Sequence, residues 1–184
     1  MLNGIADEFK FRRVADSEID EMRRCGAREL LARLDVPMWK VPAIARHLRK
    51  LKAQHIQDIP LFPGAREMLL MLANKNLTLA LVSSDHEANV RRQLGDQTAA
   101  LFAHFDCGAS LFGKAAKFKR VMKRFGIEAA ATIAIGDEIR DIDAARSAGI
   151  ACGAVTWGYA NPLALRSHDP DIMFESLGEI AERL

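Results

Sequence analysis

Cysteine is scarce in this chain and falls without pattern: Cys25, Cys107 and Cys152 share no paired or metal-ligating spacing. That argues against a disulfide framework and points to reduced thiols in a cytoplasmic protein, each serving as a small core residue. His47, His55, His104 and His168 add no ligand spacing, so no zinc site follows. Long apolar runs are missing too. None approaches the ~20 residues that span a bilayer, and the first residues mix charge with apolar side chains, unlike a signal peptide. Neither sign of charge dominates: 26 Lys and Arg stand against 24 Asp and Glu, a net charge of +2 that makes no case for nucleic acid. No Gly-x-Gly-x-x-Gly follows an apolar run, which argues against a dinucleotide site. Aromatics make up 7%, and the only two tryptophans, Trp39 and Trp157, are better explained by packing than by base stacking. There is no internal repeat and no low-complexity linker.

What is present is an ordinary globular balance, 49% apolar and 27% charged over 184 residues, enough for one domain bearing an insert. Residues 1–58 carry helical patterns only. Leu30, Leu31, Leu34 and Val36 form one stripe, ended by Pro37, and Val41 to Ile56 forms a further helix rich in Arg and Lys. From residue 59 onward, strands and helices alternate. A helix from Ala65 breaks at Asn74 to Asn76, and a strand follows from Leu77. Asp85 is a candidate cap for the next helix, which ends at Gly95, and a short helix is expected around Ala99 to Ala103. Strands are expected near His104 to Cys107, over Thr132 to Ile135 and over Ala151 to Val155. Helices are expected over Ala115 to Phe125 and from Ile139 to Ala148, the latter closed by Gly149. Such alternation predicts an α/β fold with a parallel sheet and right-handed crossovers. In the basic helix that begins near Lys114, the face formed by Phe118, Val121, Met122 and Phe125 is the buried one, which leaves most of the cations to solvent.

The segment Ala131-Thr-Ile-Ala-Ile-Gly-Asp137-Glu-Ile-Arg-Asp141 is the most informative. It runs a buried-strand pattern into two carboxylates four residues apart at a strand-to-helix turn. In open α/β sheets ligands collect at the carboxyl ends of strands. Paired acids there suit a hard cation such as Mg²⁺, which needs only one or two carboxylates beside waters and a phosphate oxygen. A plainer account stays open, with Asp137 as a turn residue and N-cap and Asp141 favoured by the helix dipole. Two further stations have the same form. Leu77-Thr-Leu-Ala-Leu-Val-Ser83-Ser84-Asp85 is an apolar run ending in hydroxyls, and Leu111-Phe-Gly-Lys114 places a lysine at the start of a helix.

In this order, the three stations resemble the haloacid dehalogenase superfamily of phosphohydrolases, in its phosphoglycolate-phosphatase-like branch. The similarity extends over nearly the whole chain, including Leu61-Phe-Pro-Gly64 and Val155-Thr-Trp-Gly158. The resemblance implies a Rossmann-like parallel sheet (the HAD fold) with an N-terminal helical cap over residues 1–58 and a core over 59–184. It implies that Ser83, Ser84 and Lys114 bind the phosphoryl group, with Ser83 and Lys114 serving catalysis, and that Asp137 and Asp141 hold Mg²⁺. The expected substrate is a small phosphorylated metabolite, phosphoglycolate or a similar compound. Neither nucleic acid nor membrane is expected as a partner, and a homodimer through the cap is compatible with the pattern.

The chain departs from the family at one point. Members begin with a strand carrying Asp-x-Asp-x-Thr, whose first aspartate attacks phosphorus to form an aspartyl-phosphate and whose second acts as acid and base. No such strand precedes the helical residues here, and Asp16-Ser-Glu18-Ile-Asp20-Glu21 reads as a helix start. The expectation is therefore a chain that starts downstream of its nucleophile, lacks the central first strand of its sheet, and turns over little by itself. The alternative is a non-catalytic metabolite- or protein-binding module on a degenerate phosphatase scaffold.

Overall fold

A computed structural model describes residues 2–108 and 113–184. In the N-terminal part all the regular structure among the described residues is helical. Helices α1 (Leu2–Phe9), α2 (Ile19–Met22), α3 (Ala27–Arg33) and α4 (Val41–Gln54) follow one another, with short 3₁₀ turns leading into α2 and α4. Four buried residues, Val14, Met22, Leu34 and Val36, form a small core of their own, with Leu30 and Leu31 packed against it as the apolar stripe requires. Leu111 and Phe112, quoted in the sequence patterns, lie outside the described residues.

The alternating part follows: α5 (Ala65–Asn74), β1 (Ala80–Val82), α6 (Glu87–Leu94), α7 (Asp96–Ala99), β2 (His104–Asp106), α8 (Lys114–Phe125), β3 (Ile133–Gly136), α9 (Ile139–Ala148), β4 (Ala151–Val155), α10 (Pro162–Arg166), β5 (Ile172–Phe174) and α11 (Leu177–Arg183). All described strand pairs are parallel. Strand β4 is buried on both faces, as crossover helices on both sides demand. Cys152 and Ala154 pack with Ile142 and Ala145 of α9, while Val155 packs with Leu72 of α5 and Ile180 of α11. Gly153 lies between them, and a methyl group there would fall 2.6 Å from the Phe174 ring.

The strands form two sheets rather than one. β1 pairs only with β2, and β3, β4 and β5 form a separate ladder in that order. A cavity of about 610 Å³ lies between them, lined by residues 79–82 of the first sheet, 131–135 of the second, and helices α5, α8 and α11. The strands flanking it are correspondingly less buried than interior parallel strands usually are: none of the β1 residues is fully buried, and Ile135 in β3 is 38% exposed. The expected α/β fold, with a sheet interrupted at its centre, is what the described residues form.

Several boundaries differ from the sequence expectation. β1 begins at Ala80 rather than Leu77, because its ladder has a partner on one side only. Asp85 stands one residue before the N-cap position of α6, which His86 occupies, and accepts the His86 N–H at 2.7 Å. The short helix spans Asp96–Ala99 instead of starting at Ala99. β5, α10 and α11 carry no strong sequence signal and were not expected. Trp39 does not pack: it is 76% exposed, with Lys40 over its ring. Trp157 does pack, against Val155 and Phe174. Among the described residues no helix is long and apolar enough to cross a membrane.

Candidate active site

The paired acids lie where the strand-to-helix turn was expected. β3 ends at Gly136, and α9 opens at Ile139 with Glu138 as N-cap. Asp141 is therefore the third helical residue. Its Oδ2 accepts the backbone N–H groups of Asp137 and Glu138, each at 3.3 Å, while Oδ1 pairs with the ammonium of Lys114 at the first position of α8. The pair is well shielded, with side-chain exposures of 16% for Lys114 and 6% for Asp141. Gly136 leaves room for this arrangement, since a Cβ there would overlap the Asp141 side chain, 2.6 Å from its own Cβ.

Asp137 is held from the other side. Its Oδ2 accepts the N–H of Tyr159 at 2.8 Å, and its backbone carbonyl accepts the N–H of Ala160 at 3.0 Å. Gly158 lies so close that a methyl group would come within 2.7 Å of Asp137 Oδ2. The loop after β4 thus wraps the Asp137 carboxylate. Burial and the neighbouring Glu138 push the Tyr159 phenol above its ordinary range.

Ser83 follows β1. Its Oγ accepts the N–H of Asp85 at 3.1 Å, which leaves the hydroxyl proton free to donate elsewhere. Its carbonyl accepts from the Lys117 ammonium at 2.6 Å. Ser84 is half-buried beside it. Asp85 is buried and accepts from Asn89 at 3.0 Å, with Lys52 of α4 at 3.1 Å. Burial alone would raise its pKa, but these donors and the His86 N–H outweigh it and hold the carboxyl below the ordinary range.

Three of the expected residues, Lys114, Asp137 and Asp141, are joined directly by hydrogen bonds. Ser83 and Ser84 make no hydrogen bond to them. Ser83 reaches the group through α8, because Lys117 sits one turn beyond Lys114 on the same helix. Most of the cations of this helix do face solvent, Lys119, Arg120, Lys123 and Arg124 being exposed, but Lys117 is an exception that the apolar pattern did not single out. It is 4% exposed and donates to the carbonyls of Ser83, Asp106 and Gly108. Burial pulls its pKa below the usual lysine range, an effect that the nearby Asp106 carboxylate opposes. Arg120 makes a two-pronged contact with the same Asp106 at 2.9 and 3.0 Å. A signal for Lys117 was available: positions 114, 117, 118, 121 and 125 share one helical face.

Chemically, the cluster offers a hydroxyl donor, an ammonium and two carboxylates at strand ends, the set that a tetrahedral oxyanion and a hard cation would meet. Among the described residues no three His, Cys, Asp or Glu side chains gather as a closed metal cage. Two carboxylates are nonetheless the donor set on which Mg²⁺ keeps its waters and shares a phosphate oxygen. Asp137 uses only Oδ2 in its hydrogen bond to the loop.

Comparison with known proteins supplies independent information. Residues 1–155 match the family described as haloacid dehalogenase-like hydrolase. A phosphoglycolate phosphatase from Synechococcus elongatus is 25% identical over 181 residues, covering 98% of this chain and 85% of that protein. A phosphoglycolate phosphatase from Pseudomonas savastanoi is 28% identical over 133 residues, and there the match covers 48% of the relative's length. A haloacid dehalogenase-like family hydrolase from Streptococcus pneumoniae superposes with a TM-score of 0.79 at 18% identity, covering 99% of this chain and 87% of that one. A protein described as a predicted phosphoglycolate phosphatase from Haemophilus somnus superposes at 0.73 with 20% identity, covering 99% and 88%.

Proposed function

The chain belongs to the haloacid dehalogenase-like hydrolases, and from that premise we propose that its strand-end cluster serves a magnesium-dependent phosphomonoesterase acting on a small phosphorylated metabolite of the phosphoglycolate kind. The observation that carries the proposal is the hydrogen-bonded chain Lys114–Asp141–Asp137 at the carboxyl end of β3, linked through α8 to Ser83 at the carboxyl end of β1. A pure scaffold has no use for an ammonium, a free hydroxyl proton and paired acids at two strand ends.

In this reading each residue has a task. Ser83, with its oxygen fixed by the Asp85 amide, donates its proton to a phosphoryl oxygen, and Ser84 stands beside it as a second donor. Lys114 places a positive charge where phosphoryl charge accumulates, and preorganised donors of this kind are commonly worth about a hundredfold or more in rate. Asp137 and Asp141 hold Mg²⁺, whose contribution when bound is to neutralise charge on the phosphoryl oxygens. Helices α1 to α4 form the cap, residues 1–58, over a core of 59–184. The separate packing of Val14, Met22, Leu34 and Val36 supports that division. None of these five residues is assigned the attacking role, since Asp141 commits both oxygens to backbone amides and Lys114, and Asp137 is read as the metal ligand. That same commitment favours a second reading, a metabolite-binding module on a phosphatase scaffold.

Calorimetric titration of the 184-residue chain with Mg²⁺ and inorganic phosphate, together with phosphate release from an aryl phosphate and from phosphoglycolate, separates the two. Binding of both ions, weakened about tenfold or more by Asp137→Ala for Mg²⁺ and by Lys114→Met for phosphate, supports the site. Magnesium-dependent turnover abolished by Asp137→Ala supports the phosphatase and places the attacking residue within these 184 residues. Binding without turnover favours the module over a phosphatase whose attacking residue lies within these 184 residues. A chain that binds neither ion overturns both readings.

A further inference from the structure

The loop that wraps Asp137 is itself gripped from outside by the helical part of the chain. Arg23, just after α2, donates from Nε to the carbonyl of Tyr159 at 2.7 Å and from Nη2 to the carbonyl of Gly158 at 3.0 Å. Its own carbonyl accepts the N–H of Asn161 at 2.8 Å, and the Asn161 side chain donates to Asp20 of α2 at 3.1 Å.

The two carbonyls that Arg23 holds belong to the same peptide units that serve Asp137. The unit joining Gly158 to Tyr159 gives its C=O to Arg23 and its N–H to Asp137 Oδ2. The next unit, joining Tyr159 to Ala160, gives its C=O to Arg23 and its N–H to the Asp137 carbonyl. A trans peptide is planar, with C=O and N–H pointing in opposite directions, so fixing one end fixes the other. A cation on the carbonyl also polarises the unit and strengthens its N–H as a donor. The guanidinium suits this task because its donors form a rigid fork that meets two acceptors at once, which an ammonium on a flexible stem does not match.

We propose that Arg23 is a positioning residue of the site: from the helical part, it locks two consecutive peptide units of the 158–160 loop and through them sets the orientation of the Asp137 carboxylate toward a divalent cation. The inference rests on the reading of Asp137 as a metal-binding carboxylate. A second tie between the helical part and the core, Lys52 to Asp85, lies on the Ser83 side and does not touch this loop.

The test uses the full 184-residue chain as Arg23→Ala, Arg23→Lys and Lys52→Met variants. Two readouts are followed: backbone amide exchange of Tyr159 and Ala160 without metal, and Mg²⁺ affinity by calorimetry. Arg23→Ala is expected to speed exchange of both amides about tenfold or more and to weaken Mg²⁺ by about tenfold, the usual consequence of losing an outer partner of a metal ligand. Arg23→Lys is expected to fall between wild type and alanine, since one ammonium holds one carbonyl well. Lys52→Met loosens the other tie and is expected to leave both readouts unchanged. Wild-type exchange and affinity in Arg23→Ala overturn the proposal, and so does an equal loss in Lys52→Met, which would make any loosening of the helical part sufficient. If the wild-type chain binds no Mg²⁺, the functional reading falls separately, and amide exchange alone decides whether Arg23 holds the loop.

Discussion

At the residue scale, small side chains decide whether the acids keep their places. Gly158 has no positive φ to protect; its constraint is steric, because a Cβ would overlap the Asp137 side chain. Gly158→Ala is expected to displace that carboxylate, to cost about 1–3 kcal/mol of stability as overpacking does, and to weaken Mg²⁺ in calorimetry. An alanine variant with wild-type stability and metal affinity would show that the loop shifts freely, contrary to the packing described. Cys152 offers a second test. Burial, with Asp141 and Asp171 nearby, pushes its thiol up to about 12. An unfolded cysteine ionises near pH ~8.5, so between these values the unfolded state has lost a proton that the folded state keeps. The stability from the neutral buried thiol is therefore complete below about pH 8.5 and declines as pH rises toward 12. Thiol labelling at pH 8 followed by mass spectrometry is expected to find half-buried Cys107 modified first, with Cys152 resistant until the chain is unfolded.

At the scale of elements, α8 is the piece that joins the two halves of the site. Its first residue, Lys114, reaches Asp141 beside β3, and one turn later Lys117 reaches the carbonyls at the ends of β1 and β2. Lys117→Met keeps most of the apolar stem but strips three buried or half-buried carbonyls and the Asp106 carboxylate of their cation. Hydrogen bonds to charged groups contribute about 1.5–3 kcal/mol each and are not additive. A loss of at least ~2 kcal/mol in urea denaturation is therefore expected, with weaker phosphate binding because Ser83 loses its anchor. An unchanged urea midpoint would mean that Arg120 alone satisfies Asp106 and that the carbonyls find other donors. The sequence disclosed the helix and its ends and assigned most of its cations to solvent, but did not tell which one is buried. An apolar-face rule cannot distinguish a lysine on the buried stripe from one beside it unless the acceptors are known, and these come from strand ends 9 to 34 residues away.

For the whole molecule, the separation into two sheets is the main physical fact. β4 has partners on both sides, whereas β1 and β3 each present an edge to the cavity between the sheets. Backbone groups bonded on one side only open more readily. Hydrogen exchange of the 184-residue chain is therefore expected to be slowest in β4 and markedly faster in β1 and β3. Equal protection of all three would show that something covers those edges in solution, including a second copy, since open edges template pairing.

What the sequence determined by itself were the features that local physics writes in short windows. These include the alternation of strand and helix that makes an α/β fold, the stops of α6 and α9 at Gly95 and Gly149, and the paired acids at the end of β3. Each follows from spacing, caps or strand period within a dozen residues. The family pattern placed Ser83 and Lys114 as candidates on the same local evidence. Tertiary structure alone decided which cation of α8 is buried, that β5 and α11 complete one edge of the core, and that Arg23 grips a loop 135 residues away. Contacts over such distances leave no periodicity in either segment. Three-residue strands such as β5 are too short for their alternation to stand out, and a buried charge is permitted only by acceptors that folding brings to it.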